Sequence, residues 1–325
     1  MFIRLLTQTL LVFSLTQFVP VDGTTFEQAA KLPTAPVRSA LLSAMQIART
    51  PTLPLSLRRD TDDRLPQKID TESLGVVTTA RSVLVVDRTT GLALYEKNAD
   101  AVRPIGSISK LMTALVFLET MPNLDAHVRV ASTDYREGGR MYLAADDPVT
   151  ERDLLHASLV GSDNTATMSL MRLSGLQESD FVLRMNSYAA ELGMTSSVFH
   201  DPTGLSAANV SSARDIVKLL EAVQGHEEIQ STIILPDVTI TQESGRTVTI
   251  ASTDDLLSSF VNQPPYQMLG GKTGYLPDAG YCIGVGVRHE GSGDVFIVLL
   301  GSESKITRVQ EVKGLASWAY RVFQW

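Results

Sequence analysis

Cysteine is nearly absent from the chain. Its 325 residues include one, Cys282, so no disulfide can form within it. The neighbours in Tyr281-Cys-Ile-Gly-Val-Gly-Val287 are apolar and strand-like, which predicts a buried core thiol. Histidine is scarce too. His127, His156, His200, His226 and His289 are scattered, with no His-x-x-x-His pair and no Cys-His cluster. That pattern argues against a metallohydrolase, and no metal is expected. Positive charge is in deficit, with 28 Lys and Arg against 36 Asp and Glu and a net charge of −8. That balance argues against a nucleic-acid partner, because phosphate binding needs a concentrated basic face. Long apolar runs are missing after the N-terminus, so no later segment is expected to span a membrane.

What is present begins with Met1 to Gly23. Arg4 precedes an apolar run from Leu5 to Val19 that Thr7, Gln8, Thr9, Thr16 and Gln17 interrupt. The run is too short and too interrupted for a comfortable span and reads as a secretory signal peptide over 1–23. The rival reading is an uncleaved anchor; in either case the body is exported. With the signal removed, no stable span remains, and a periplasmic protein, free or loosely membrane-associated, is expected. Residues 24–75 read as a poorly structured tether punctuated by Pro33, Pro36, Pro51, Pro54 and Pro66, with one short helix around Ser39 to Ala48.

The compact domain is expected over 76–325. Ser82–Asp87 and Leu92–Tyr95 read as a hairpin. Helices are expected from Ser107 to Glu119, from Glu151 to Val160 with Thr150 as cap, after Asn164, and from Ser212 to Val223. Strands follow at Tyr266–Thr273, Tyr281–Arg288 and Val295–Gly301, then an amphipathic helix from Val309 to Trp325. Hydrophobic residues make up 44%, enough for a sizeable core. Strands at both ends with helices between predict an α/β (α+β) domain, one antiparallel sheet built from both termini with a helical region inserted.

Three short motifs carry chemistry. In Ser107-Ile-Ser-Lys110 the serine and lysine are three apart, on one helix face. A serine hydroxyl is a poor nucleophile until a base takes its proton. Lysine is such a base only when neutral, and burial or a nearby cation pushes it that way. If Ser107 opens the helix, its N–H has no intrahelical partner and can face an oxyanion. Alone the motif is weak, since about one match per chain of this length is expected by chance, and Ser302-Glu-Ser-Lys305 is a second. Ser162-Asp-Asn164 follows an apolar helix, where Ser, Asp and Asn also serve as ordinary capping residues. Lys272-Thr-Gly274 ends a strand, where a lysine, a hydroxyl and a glycine make an edge for an anion or amide. Ser107 lacks the Gly-x-Ser-x-Gly setting of a Ser-His-Asp hydrolase, and His200 reads as a loop residue.

In this order, about 55 and then about 110 residues apart, the motifs are those of penicillin-binding proteins and class A β-lactamases. From residue 76 on, the chain resembles low-molecular-mass penicillin-binding proteins of the D-Ala-D-Ala carboxypeptidase 1 serine peptidase family. Arg103-Pro-Ile-Gly-Ser-Ile-Ser-Lys-Leu-Met-Thr-Ala114 is similar to their active-site helix, and His200-Asp-Pro-Thr-Gly-Leu-Ser206 with Asn209–Asp215 to a second stretch. The resemblance implies a β-lactamase/transpeptidase-like fold, a five-stranded antiparallel sheet flanked by helices with an inserted helical subdomain. It implies no cofactor, with peptidoglycan peptide stems as substrates and β-lactam antibiotics as covalent inhibitors. It further implies that Ser107 forms the acyl-enzyme and Lys110 is the general base. Ser162 and Asn164 would transfer protons and position substrate, and Lys272, Thr273, Gly274 and Tyr275 would bind it. The N–H groups of Ser107 and Tyr275 would form the oxyanion hole. At Tyr275 the family commonly has another residue, so its side chain is expected to narrow the cleft.

The branch is less directly written. No Glu-x-x-Leu-Asn pattern stands between the second and third motifs, which argues against a dedicated β-lactamase. Only about 50 residues follow Gly274, enough to finish the sheet and a last helix but not the extra β-rich domain of typical carboxypeptidases. Where those enzymes tend to carry a carboxylate-reading arginine, Leu300-Gly-Ser-Glu303 offers an acid, which would repel a carboxylate. Both departures favour the endopeptidase branch, the penicillin-binding protein 7 type, which cuts cross-links. A carboxypeptidase of the same fold, or a penicillin sensor that binds without turnover, are the alternatives.

Overall fold

Ser82–Asp87 (β1) is apolar except at its ends and every residue in it is buried. A strand points successive side chains to opposite faces, and β1 uses both. Leu84 and Val86 enter one core cluster, Val83 and Val85 a second. Asp294–Ser302 (β7) repeats the device, with Phe296, Val298 and Leu300 on the first side and Ile297 and Leu299 on the other. Ala93–Lys97 (β2), Tyr266–Leu276 (β5) and Gly280–His289 (β6) complete a five-stranded sheet in the order β5-β6-β7-β1-β2. All four pairings are antiparallel. The sheet's first strand in the sequence and its last therefore pair at the β7–β1 seam, as the strand pattern predicts.

This computed structural model describes residues 65–325. The signal segment 1–23, the short helix expected near 39–48 and the tether up to residue 64 lie outside the described residues. On the second face of the sheet lies Lys305–Val322 (α7), packing Val312, Leu315, Ala316 and Ala319 against Val83, Val285 and Ile297. The first face carries the inserted helices: Ser109–Glu119 (α1), Glu151–Leu159 (α2), Asn164–Leu173 (α3), Glu178–Glu191 (α4), Ala213–Gln224 (α5) and Glu227–Ile233 (α6). Between α6 and β5 stands a hairpin, Asp237–Thr241 (β3) with Thr247–Ala251 (β4). Helix α1 is buried continuously from Ser109 to Phe117, with Leu111, Met112, Ala114, Leu115, Val116 and Phe117 in the core and Ser109, Lys110 and Thr113 as its buried polar members.

Two expectations are corrected, and further elements are added. The tether does not stay loose to residue 75. Gln67–Lys68 pairs with Phe323–Gln324, and Trp318 Nε1 donates to Ser73 Oγ at 2.9 Å, because the indole N–H of a mostly buried tryptophan needs an acceptor. The last helix starts before Val309, since Ser304 caps it through Thr307 N at 3.0 Å, and it stops at Val322, where Phe323 turns extended. Helix α4 and the β3–β4 hairpin are additions. Phe181, Met185 and Ala189 recur at helical spacing, and Ile240 and Ile250 are the buried members of alternating strands. Both periodicities are present in the sequence.

Candidate active site

Ser107 stands in a short 3₁₀ turn, Gly106–Ile108, that leads directly into α1. As the second residue of a helical start, its N–H has no intrahelical acceptor. Lys110 lies one turn on and is fully buried. Its Nζ is 3.0 Å from Ser107 Oγ, 2.7 Å from Asn164 Oδ1 and 2.6 Å from the Thr203 carbonyl. Two of these partners, the amide oxygen and the carbonyl, can only accept. A neutral amine has two N–H bonds and one lone pair, so giving both hydrogens to those oxygens leaves the lone pair for the Ser107 hydroxyl. Burial pushes Lys110 down to about 7, against Asp201 and Asp163, whose charges pull it up. Near neutrality the amine is thus available as a proton acceptor.

Ser162 joins α2 to α3 with φ +59°, a left-handed backbone that non-glycine residues seldom adopt. Its Oγ accepts from Lys272 Nζ at 3.0 Å. Lys272 is also buried, and desolvation, then Lys110, then Arg308 hold it well below its ordinary value, with Asp254 opposing. The middle residue of the motif, Asp163, has a structural task. It caps α3 through Thr165 N at 2.8 Å and Ala166 N at 3.0 Å, and it accepts from Tyr142 N at 3.0 Å. Asn164 is committed at both ends, since its Nδ2 donates to the Gly138 carbonyl at 2.6 Å.

The third motif closes the site from β5. Thr273 Oγ1 bonds Thr253 Oγ1 at 2.7 Å. A Cβ on Gly274 would sit 2.2 Å from the Ile105 carbonyl oxygen and 3.2 Å from Ser107 N, so only glycine lets β5 run this close to the Ser107 turn. Tyr275 is half exposed and lies against Tyr281, ring centroids 4.4 Å apart. Both rings line the cleft, a cavity of about 560 Å³ that also takes in Ser107, Ser162, Asn164, Thr273 and Gly274. The two lysines stand behind its wall. His200 is an exposed loop residue. Cys282 is fully buried, and desolvation raises its thiol to about 11.

The other Ser-x-x-Lys match forms no such pair. Ser302 Oγ donates to Glu311 Oε2 at 2.7 Å, and Lys305 pairs with Asp255 at 2.9 Å. Sequence reasoning missed two groups at the site. One is the Thr203 carbonyl, a backbone atom with no signature of its own. The other is Arg308, on the first turn of α7. It lines the cleft, is almost wholly buried, donates to the Cys282 carbonyl at 3.2 Å and lies over the Tyr281 ring at 6.0 Å. The argument from Glu303 is therefore corrected: a cation does reach this end of the cleft, from the helix instead of the strand. Among the described residues no group of three His, Cys, Asp or Glu side chains could hold a metal.

Sheet order, inserted helices and cleft define a serine peptidase of the DD-transpeptidase fold. The Streptomyces K15 DD-transpeptidase, as its C98N mutant, superposes with a TM-score of 0.69 over 76% of this chain and 99% of its own, at 26% identity. Penicillin-binding protein D2 of Listeria monocytogenes, in its cefotaxime-bound form, gives 0.65 over 76% and 100%, at 30% identity. The D-alanyl-D-alanine carboxypeptidase family, peptidase S11, matches residues 69–304, and the chain belongs to that family of serine-type D-Ala-D-Ala peptidases. It is similar to the D-alanyl-D-alanine endopeptidases of Haemophilus influenzae (35% identical, 62% of this chain and 68% of the relative) and Pseudomonas aeruginosa (32%, 73% and 76%).

Proposed function

We propose that the protein is an exported D-alanyl-D-alanine endopeptidase that opens D-Ala–meso-diaminopimelate cross-links of peptidoglycan through an acyl-enzyme on Ser107. The observation that carries the chemistry is the Lys110 amine, fully buried, its pKa lowered by that burial, and 3.0 Å from Ser107 Oγ. The endopeptidase branch rests on likeness to relatives of that name at 32–35% identity.

In this reading Ser107 Oγ attacks the D-alanyl carbonyl carbon while its proton passes to Lys110 Nζ. The carbonyl π electrons move onto oxygen, and the N–H groups of Ser107 and Tyr275 hold that oxyanion. Collapse breaks the C–N bond, and the leaving amine takes its proton from Lys110 through the Ser162 hydroxyl, which Lys272 polarises. Water then attacks the ester by the same route, returning the proton to Ser107 and releasing the D-alanyl carboxylate. Lys272, Thr273, Gly274 and Tyr275 bind the peptide along β5, and Asn164 orients Lys110. A β-lactam enters the same steps, but its leaving amine stays tethered and the ester persists. Signal removal after residue 23, a tether over 24–64 and a periplasmic location belong to the same reading.

A carboxypeptidase is the second reading, and Arg308 suits both: a buried guanidinium at the β5 end of the cleft fits the carboxylate α to the leaving amine, which a terminal D-alanine and the D-centre of meso-diaminopimelate both carry. Labelling with a fluorescent penicillin tests the shared chemistry. Wild-type protein takes up the label covalently and Ser107→Ala does not; label retained by the variant removes Ser107 from its role.

A further inference from the structure

The mechanism leaves one well-ordered element unused, the loop from His200 to Asn209. Its organiser is Asp201. Oδ1 accepts from Thr203 N at 2.6 Å, Thr203 Oγ1 at 2.6 Å and Gly204 N at 2.8 Å, and Oδ2 accepts from Ser206 N at 2.8 Å. With Leu205 N also within 3.4 Å of Oδ1, one carboxylate thus folds four successive residues, 203 to 206, around itself. The loop is anchored from beneath by Asn209, whose Nδ2 donates to the Asp201 carbonyl at 2.8 Å and to Ser109 Oγ at 2.9 Å. Thr113 Oγ1, on the Lys110 helix, donates to the Pro202 carbonyl at 2.5 Å. Gly204 presses on the nucleophile's turn, since a Cβ there would lie 2.1 Å from the Gly106 carbonyl oxygen and 3.0 Å from Ser107 N.

The consequence falls on Lys110. Its Nζ gives its shortest bond to the Thr203 carbonyl, an oxygen whose position depends on the turn that Asp201 holds. Without that acceptor the amine keeps one fixed N–H, to Asn164, and its lone pair can rotate away from Ser107.

We propose that Asp201 is a positioning residue for the acylation step: by ordering residues 203–206 it fixes the Thr203 carbonyl and aims the Lys110 lone pair at Ser107 Oγ. The inference rests on the reading of Lys110 as general base. Asp201 also acts on Lys110 through its charge. The charged groups facing Lys110 are Asp201 from the loop, Asp163 from the cap of α3, and Lys272 from β5. The two carboxylates raise the amine's pKa against burial, so neutralising Asp201 lowers it.

The test is the second-order rate of acylation by a penicillin from pH 5 to 9, with thermal unfolding measured alongside. In Asp201→Asn the high-pH plateau falls about tenfold or more, because the base is misplaced, and the acid midpoint moves to lower pH, because a negative charge is gone. In Thr203→Val the loop loses one ligand of Asp201 but keeps its charge, so the plateau falls and the midpoint stays. A wild-type plateau and midpoint in Asp201→Asn would overturn the proposal. So would a plateau lowered only by the unfolded fraction with an unmoved midpoint. Should Asp201→Asn fail to fold, Thr203→Val decides, and a wild-type plateau there counts against the inference. Failure of the underlying reading looks different: wild-type protein that is not acylated, or Ser107→Ala that is.

Discussion

The acid limb of acylation follows from the burial of one amine. Lys110 is fully buried and its pKa falls from 10.5 to about 7. At pH 7 about half of the molecules then hold a neutral base, where an ordinary lysine would leave about 3 in 10,000 neutral. Burial is therefore worth on the order of a thousandfold in competent enzyme. Measured with a penicillin, whose carboxylate stays ionised from pH 5 to 9, the acylation rate is expected to be half-maximal near pH 7. Below that it falls about tenfold per pH unit. Lys110→Met should lose on the order of 10²- to 10⁴-fold and lose the limb as well. The same burial sets a stability trend. Between pH 7 and 10.5 the unfolded chain holds this proton and the folded chain does not, so stability rises with pH across that window. The lowering corresponds to about 5 kcal/mol against the charged folded form at 1.36 kcal/mol per pH unit. A rate that is flat from pH 5 to 9, or a limb that persists in Lys110→Met, would refute the reasoning.

Two further outcomes follow from contacts on either side of the nucleophile. Gly274→Ala would force a methyl to within 2.2 Å of the Ile105 carbonyl oxygen; β5 must retreat, costing about 1–3 kcal/mol and most of the acylation rate, read by thermal unfolding and penicillin labelling. Arg308→Gln removes the buried cation at the β5 end of the cleft and should raise KM about tenfold or more for cross-linked dimers, whose D-centre diaminopimelate carboxylate lies beside the scissile bond; an unchanged KM would mean that Arg308 does not read that carboxylate.

Much of the fold was legible because its signals are local. The apolar strands Ser82–Asp87 and Val295–Gly301, the Thr150–Asp153 box and the buried stretch after Ser107 announce themselves through period and capping. The second Ser-x-x-Lys match shows the limit of a local signal, for only the fold separates Ser107, which meets its lysine, from Ser302, which meets Glu311. The Thr203 carbonyl was illegible because every residue carries a carbonyl; what singles this one out is the turn drawn in by Asp201. Arg308 was missed for a different reason. The strand is where the family pattern puts a cation at that end, while here the helix that follows delivers it from its own first turn. Residues 67–73 read as tether because two-residue pairing and a tryptophan acceptor leave no periodic trace.

The most direct measurement of the central claim is digestion of purified cross-linked muropeptide dimers, with products resolved by mass. The account expects wild-type protein to release monomers by cleaving the D-Ala–meso-diaminopimelate bond, and Ser107→Ala to release none. Loss of a single terminal D-alanine with the cross-link intact would contradict the endopeptidase reading, and dimers opened equally well by Ser107→Ala would contradict the site itself.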